Sequence, residues 1–187
     1  INKKIISSGT AQQAEFMQLE MDYIKTLDEL GKSASTASMI RNLAHLQAFF
    51  LHKPDDAIIL LQEVIKLPGL RPQENAECKL ELGDIFILKN EVWEATLLYS
   101  QVDKAFKTDI LGQEAKFRNA KLSYYQGDFD WAKAQLDVLK AATSDFIAND
   151  ALLLSLLIGD NSADGDTLQT TLHIYSRADL MLFQNKY

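Results

Sequence analysis

Three histidines, one cysteine and one acidic loop are the parts of this 187-residue chain whose side chains could hold a metal or carry out chemistry. His45 and His52 stand seven residues apart, about two turns of one helix, and so fall on a similar side of it. Neither they nor His173 has a third ligand at metal-site spacing, so packing or surface roles suit all three. Cys78 is the single cysteine, which rules out an internal disulfide and a cysteine-based zinc site. It falls in an apolar helical pattern and reads as a small core residue. The run from Asp160 to Asp166 spaces oxygens at Asp160, Ser162 and Asp164 before a bend at Gly165, like the start of an EF-hand loop. The twelfth position of that loop is Thr171, where a bidentate glutamate is needed, so a solvated link between helices is the better reading. No phosphate-loop, nucleophile-elbow or zinc-protease pattern occurs, and the carboxylates are spread over helix faces. The chain therefore reads as non-catalytic, with no cofactor and no metal.

Composition narrows the class further. Apolar residues make up 47% of the chain, which argues against disorder, and only 3 Pro and 8 Gly argue against a turn-dense β fold. The formal net charge is −7, and the densest basic cluster is Lys3-Lys4. A nucleic-acid binder needs a basic stripe to neutralise phosphates, so nucleic acid is not the expected partner. There is no run of 18 apolar residues, and so no expected membrane-spanning helix. The chain starts at Ile1 rather than Met and reaches Tyr187 in an amphipathic pattern, which reads as a piece of a longer protein.

Helical periodicity runs through nearly the whole chain. Over about 10–31, Phe16, Leu19, Tyr23, Ile24, Leu27 and Leu30 recur at three- and four-residue steps, with Gly31 where a C-terminal cap is wanted. Ser33, Ser35 and Thr36 offer caps for a helix over about 35–52. Pro54, followed by Asp55 and Asp56, opens another that stops at Pro68-Gly69. Further helices are predicted near 74–89, 91–107, 112–126, 129–142, 145–159 and 166–186, about nine in all. Links are short, so neighbours should lie antiparallel in an all-α fold.

The helices repeat. An offset of 37 places Glu77 over Glu114, Lys79 over Lys116, Ala95 over Ala132 and Ala105 over Ala142. Apolar positions match in kind: Leu80 with Phe117, Ile85 with Leu122, Tyr99 with Leu136. An earlier copy starts near Ser38 at an offset of 38 and sets Ala57 over Ala95 and Val64 over Val102. The segment Tyr124-Tyr125-Gln126-Gly127-Asp128-Phe129-Asp130-Trp131-Ala132 resembles the tetratricopeptide repeat, with its Gly-x-aromatic turn and its Ala early in the second helix. Leu82-Gly83 through Phe86, followed by Asn90, Val92 and Ala95, resembles it too. The stretch from Gly112 to Lys140 also resembles a group of exported Bacteroidetes repeat proteins, which implies a cell-envelope or periplasmic parent; the residues themselves leave the compartment open. The repeat of 37–38 exceeds the family's usual length of about 34. The 58 residues from Gln113 to a last partial copy near Thr171 fit neither one repeat nor two, so the helix at about 145–159 breaks the register.

The resemblance implies a right-handed solenoid of stacked hairpins over the whole chain, with an N-terminal helix over 1–34, core repeats over 38–144, and an irregular repeat with a cut terminal helix over 145–187. It also implies that the first helix of each pair lines a concave groove that binds a peptide or helix of a protein partner. Carried over by position, that surface holds Asn42, Leu46, Phe49 and Phe50 in the earliest copy. The next copy supplies Asp84, Ile87 and Leu88, and the closest match supplies Phe117, Lys121, Tyr124 and Tyr125. Tyr124 and Tyr125 are the preferred binding residues, since tyrosine joins a flat apolar face to a polar end. A structural or self-assembling spacer, and a regulatory segment of a larger enzyme, are the alternatives.

Overall fold

The computed structural model describes residues 13–140, 145–162 and 169–186. Among these residues the chain is helical, with no strand, and no helix is long and apolar enough to cross a membrane. Nine α-helices are described: α1 (Gln13–Leu30), α2 (Ala37–Phe49), α3 (Pro54–Val64), α4 (Pro72–Leu88), α5 (Val92–Ala105), α6 (Ile110–Gln126), α7 (Phe129–Leu139), α8 (Asp145–Ser162) and α9 (Thr170–Phe183). They fall where the periodicity predicts them.

Local signals set most of the boundaries. The α1 helix ends on Gly31, at φ 76, with its N–H donating to Leu27 O at 2.8 Å. The Thr36 hydroxyl then ties the link together, accepting from Ser33 N at 2.9 Å and donating to Gly31 O at 2.9 Å. Pro54 and Pro72 open α3 and α4, where a missing N–H costs nothing. Asp109 caps α6 by accepting from Leu111 N at 3.0 Å. Gly127, at φ 81, closes α6 as Asp128 N reaches back to Ser123 O at 2.9 Å. Several predicted ends fall short of expectation, and one of them changes a reading. The helix expected to about residue 52 stops at Phe49, and Lys53 N bonds Gln47 O at 2.8 Å across a turn in which His52 takes φ 55. His45 and His52 are therefore not on one helix. The acidic loop is also only partly visible: Asp160 and Asn161 belong to the last turn of α8, and 163–168 lies outside the described residues.

The chain divides into two compact units, Ile1–Lys89 and Asn90–Tyr187. In the first, α2 is the hub: α1, α3 and α4 all pack on it, and α4 also packs on α3. Phe16 and Leu19 of α1 meet Leu46 and Leu51, with Phe16 and Phe50 ring centroids 4.9 Å apart. In the second unit α6 is the hub, and α5, α7, α8 and α9 all lie against it. Buried Ala95, Ala120 and Ala132 let helices approach there, while Tyr99, Phe129 and Leu136 fill the space between them. Gly112 sits so close to the Phe106 carbonyl that any Cβ would collide with it. The pattern of hairpin neighbours changes after α7. The α8 helix packs on α7, where buried Ser155 donates to Asp137 Oδ1 at 2.9 Å, and α9 returns to α6.

Candidate functional site

The surface expected from the repeat resemblance is largely covered. Leu46 is fully buried under α1, Phe50 packs against Phe16, and Phe49 stacks on His45 with centroids 4.7 Å apart. Asn42 is exposed, Asp84 and Leu88 are half-buried, and Ile87 is in the core. Tyr124 has no exposed surface and Tyr125 is 8% exposed, so neither offers a ring face to a partner. The cause is α9: its Phe183 ring lies 6.3 Å from Tyr125, and Asp179 and Tyr175 are close enough to act on the Tyr124 phenol. Burial, helped by these neighbours, holds that phenol well above its ordinary pKa. Its hydroxyl finds no hydrogen-bond partner among the described residues, which marks Tyr124 as a packing residue.

Phe117 and Lys121, one turn apart on α6, remain accessible and share a groove. They line it with Asp150, Leu153, Leu154 and Leu157 of α8 and Asp179 of α9, around a space of about 480 Å³. Leu153 is 66% exposed, and Leu154 and Leu157 are half-buried beneath it. The Lys121 ammonium lies 5.4 Å from the Tyr125 ring centroid, held at the rim by a cation–π contact. The result is an aliphatic floor edged by one cation and two carboxylates. It can hold the apolar stripe of a helix or an extended segment and pair charges at its edge.

A second cleft lies in the same unit, between α5, α6 and α7, and holds about 370 Å³. Trp93 and Trp131 stand at its lips, 83% and 59% exposed. Asn119 Nδ2 donates to Ser100 Oγ at 3.3 Å, and Gln135 Nε2 donates to Ser123 Oγ at 3.1 Å, so the floor is tied together by side-chain amides and hydroxyls. Neither tryptophan was expected as a site residue. The available signal was their place in the first turns of α5 and α7, two residues before the buried Ala95 and one before the buried Ala132.

In the first unit the polar side chains between helices pair across the packing seams: Arg41 with Glu77, His45 Nδ1 with Glu81 Oε1 at 2.7 Å, and Lys53 Nζ with Glu20 Oε2 at 2.6 Å. Burial lowers the His45 pKa, but the Glu81 hydrogen bond and the charges of Glu81 and Asp84 outweigh it and leave the imidazole above its ordinary value. Burial pushes the Cys78 thiol up to about 11, so it stays protonated and unreactive near neutral pH. Among the described residues no group of three His, Cys, Asp or Glu side chains is placed to hold a metal ion.

Nothing matches this chain among family models, curated proteins or solved structures. Its likeness to tetratricopeptide repeats rests on its own residues.

Proposed function

We propose that this chain is a non-catalytic protein-interaction module, a solenoid of tetratricopeptide-like hairpins that takes an amphipathic helix or extended peptide of a partner in the groove of its second unit. The observation that carries this reading is the groove of Phe117, Lys121, Leu153, Leu154 and Leu157, with its rim of Asp150 and Asp179. An exposed leucine over two half-buried ones is a surface that gains from being covered, at about 25 cal/mol per Å² of apolar area. The charged edge adds register and selectivity.

The test is quantitative affinity capture with the wild type, Leu153→Asp and Lys121→Glu, and with Ile59→Asp on the first unit as control. Ile59 and Leu153 are both exposed, so these changes should leave the helical circular dichroism unaltered. At least one protein should be retained by the wild type and the control and lost more than tenfold with Leu153→Asp. If Leu153→Asp retains every protein that the wild type retains, the groove is not the binding surface. A second reading, self-association, is favoured by the outward Ile174, Tyr175, Met181 and Leu182 of α9. Sedimentation of the wild type against Leu182→Asp distinguishes it.

A further inference from the structure

We propose that the cleft between Trp93 and Trp131 receives an arginine side chain carried on an extended segment of a protein partner, with Asp128 as its counter-charge. This rests on the reading of the chain as a protein-interaction module, but on a different surface from the Leu153 groove.

Three features of the cleft select a flat, donor-rich cation. The first is its walls. The two indoles are exposed on separate helices and line one opening. A guanidinium stacks on an indole face and is attracted by its quadrupole.

The second is charge. Asp128 occupies the position before the first residue of α7, where an aspartate ordinarily caps the helix, yet its side chain makes no capping bond. It is exposed, lines the cleft, and meets no cation among the described residues. The lining contains no Lys or Arg, and the chain carries a formal charge of −7. Phosphate and carboxylate ligands are repelled there, and a cation is drawn in.

The third is the polarity of the floor. Asn119 Nδ2 is engaged by Ser100 and Gln135 Nε2 by Ser123. Gln135 Nε2 also reaches Trp131 O at 3.5 Å, so its carbonyl oxygen is the open end of that amide, while Asn119 keeps one N–H beside its oxygen; the floor thus offers two amide oxygens as acceptors. A guanidinium brings five N–H donors and no acceptor, which complements that set.

The length of the cleft argues for a chain segment. Trp93 and Ser100 both line it, seven residues apart on α5, or about 10 Å along the helix. That is longer than one guanidinium and leaves room for the residues on either side of it.

The chain has 2 Trp, and both are in this cleft, so its two indole N–H signals in a proton–nitrogen NMR spectrum report on this site alone. The probe is a short blocked Gly/Ser peptide with one central arginine, titrated into the whole chain. Both indole signals should shift and saturate. The same peptide with citrulline, which has the shape without the charge, should bind at least tenfold more weakly. Asp128→Asn should weaken the arginine peptide about tenfold and flatten its salt dependence. Equal binding of the citrulline peptide, or no movement of either indole, would falsify the proposal. Equally tight binding of blocked free arginine amide would overturn the assignment to a protein segment. Leu153→Asp leaves this cleft untouched. If captured proteins are lost with Leu153→Asp while the arginine peptide fails to bind, only the cleft proposal falls. If the arginine peptide binds and capture is indifferent to Leu153, only the groove falls.

Discussion

The two units solve the same packing problem with different materials. The first, from α1 to α4, joins its helices with charge: Glu20 is 7% exposed and is held by Gln47 Nε2 at 2.8 Å and Lys53 Nζ at 2.6 Å, while Arg41 and His45 of α2 reach Glu77 and Glu81 of α4. The second, from α5 to α9, carries a long ion pair from Lys116 Nζ to Asp103 Oδ1 at 3.8 Å but joins its helices mainly with rings and small residues, Tyr124, Phe129 and Tyr125 against Ala120 and Ala132. The outsides differ as well. Of the large apolar side chains that remain exposed, Met17, Met21, Ile24, Leu30 and Ile59 belong to the first unit. Among the described residues the other thirteen belong to the second, including both tryptophans, Phe146 and Leu153. Contiguous exposed apolar surface is a common mark of interaction sites, and the proposed groove lies in the second unit.

If close packing holds the second unit together, its most sensitive point is Gly112. A Cβ there meets the Phe106 carbonyl and the Lys107 amide, which are backbone and cannot swing aside. Gly112→Ala should therefore destabilise the chain by about 3 kcal/mol, the upper part of the usual range for overpacking. Urea unfolding followed by tryptophan emission reads the second unit alone, because Trp93 and Trp131 are both in it. An unchanged midpoint would mean that the α5–α6 corner yields easily and that the unit is not tightly packed.

The first unit should break through its buried carboxylate. Glu20→Ala removes the partner of both Gln47 and Lys53. It leaves a buried amide with neither of its ends paired, since Gln47 Oε1 already lacks a partner among the described residues. A loss of about 2 kcal/mol is expected, with Lys53 contributing less because it reaches solvent. Amide exchange in α1 and α2 should accelerate while α6 is unaffected. Faster exchange in both units would show that they do not unfold separately.

How far these differences were legible depends on how local their causes are. All nine helices were, because Gly31, Pro54 and Gly127 act within their own turns. The end of α2 was not, because the turn is closed by a backbone bond from Lys53 N to Gln47 O with His52 at φ 55, and histidine, though it enters the left-handed region more often than most residues, also fits a helix interior. The groove was half legible. Repeat spacing picked out Phe117 and Lys121, and it also picked out Tyr124 and Tyr125, which α9 covers from some fifty residues further along the chain. Spacing says which side of a helix a residue takes, but it cannot say what later element lies over that side. The tryptophans were missed for the converse reason: each sits within two residues of a buried alanine in the first turn of its helix, and it is a lip of a cleft because no helix among the described residues covers it.

A smaller effect, of opposite sign, tests whether Tyr124 belongs to packing or to recognition. Its hydroxyl is buried without a partner among the described residues, so it costs free energy where it is. Tyr124→Phe keeps the ring and removes that cost, and should stabilise the second unit by about 1 kcal/mol with no change in captured proteins. A loss of stability would reveal a hydrogen bond to that hydroxyl, and a loss of partners would return Tyr124 to the binding surface.

The smallest expected effect lies in the first unit and depends on pH. Since His45 is raised above its unfolded value of 6.5, the folded state holds the proton more tightly than the unfolded one. Its charged pairing with Glu81 thus contributes fully below pH 6.5, and the contribution is lost as pH rises through the folded value. The imidazole is 40% exposed, so solvent screening keeps the effect modest. Thermal melts of the wild type against His45→Gln from pH 5.5 to 8.5, read by exchange or a probe in α2, should diverge at low pH and converge at high pH. The second unit has no matching histidine–carboxylate pair among the described residues, so its tryptophan-detected midpoint should show no difference between the two proteins. If that midpoint follows His45, charge in one unit supports packing in the other, and their separation into a charge-joined and a ring-joined unit fails.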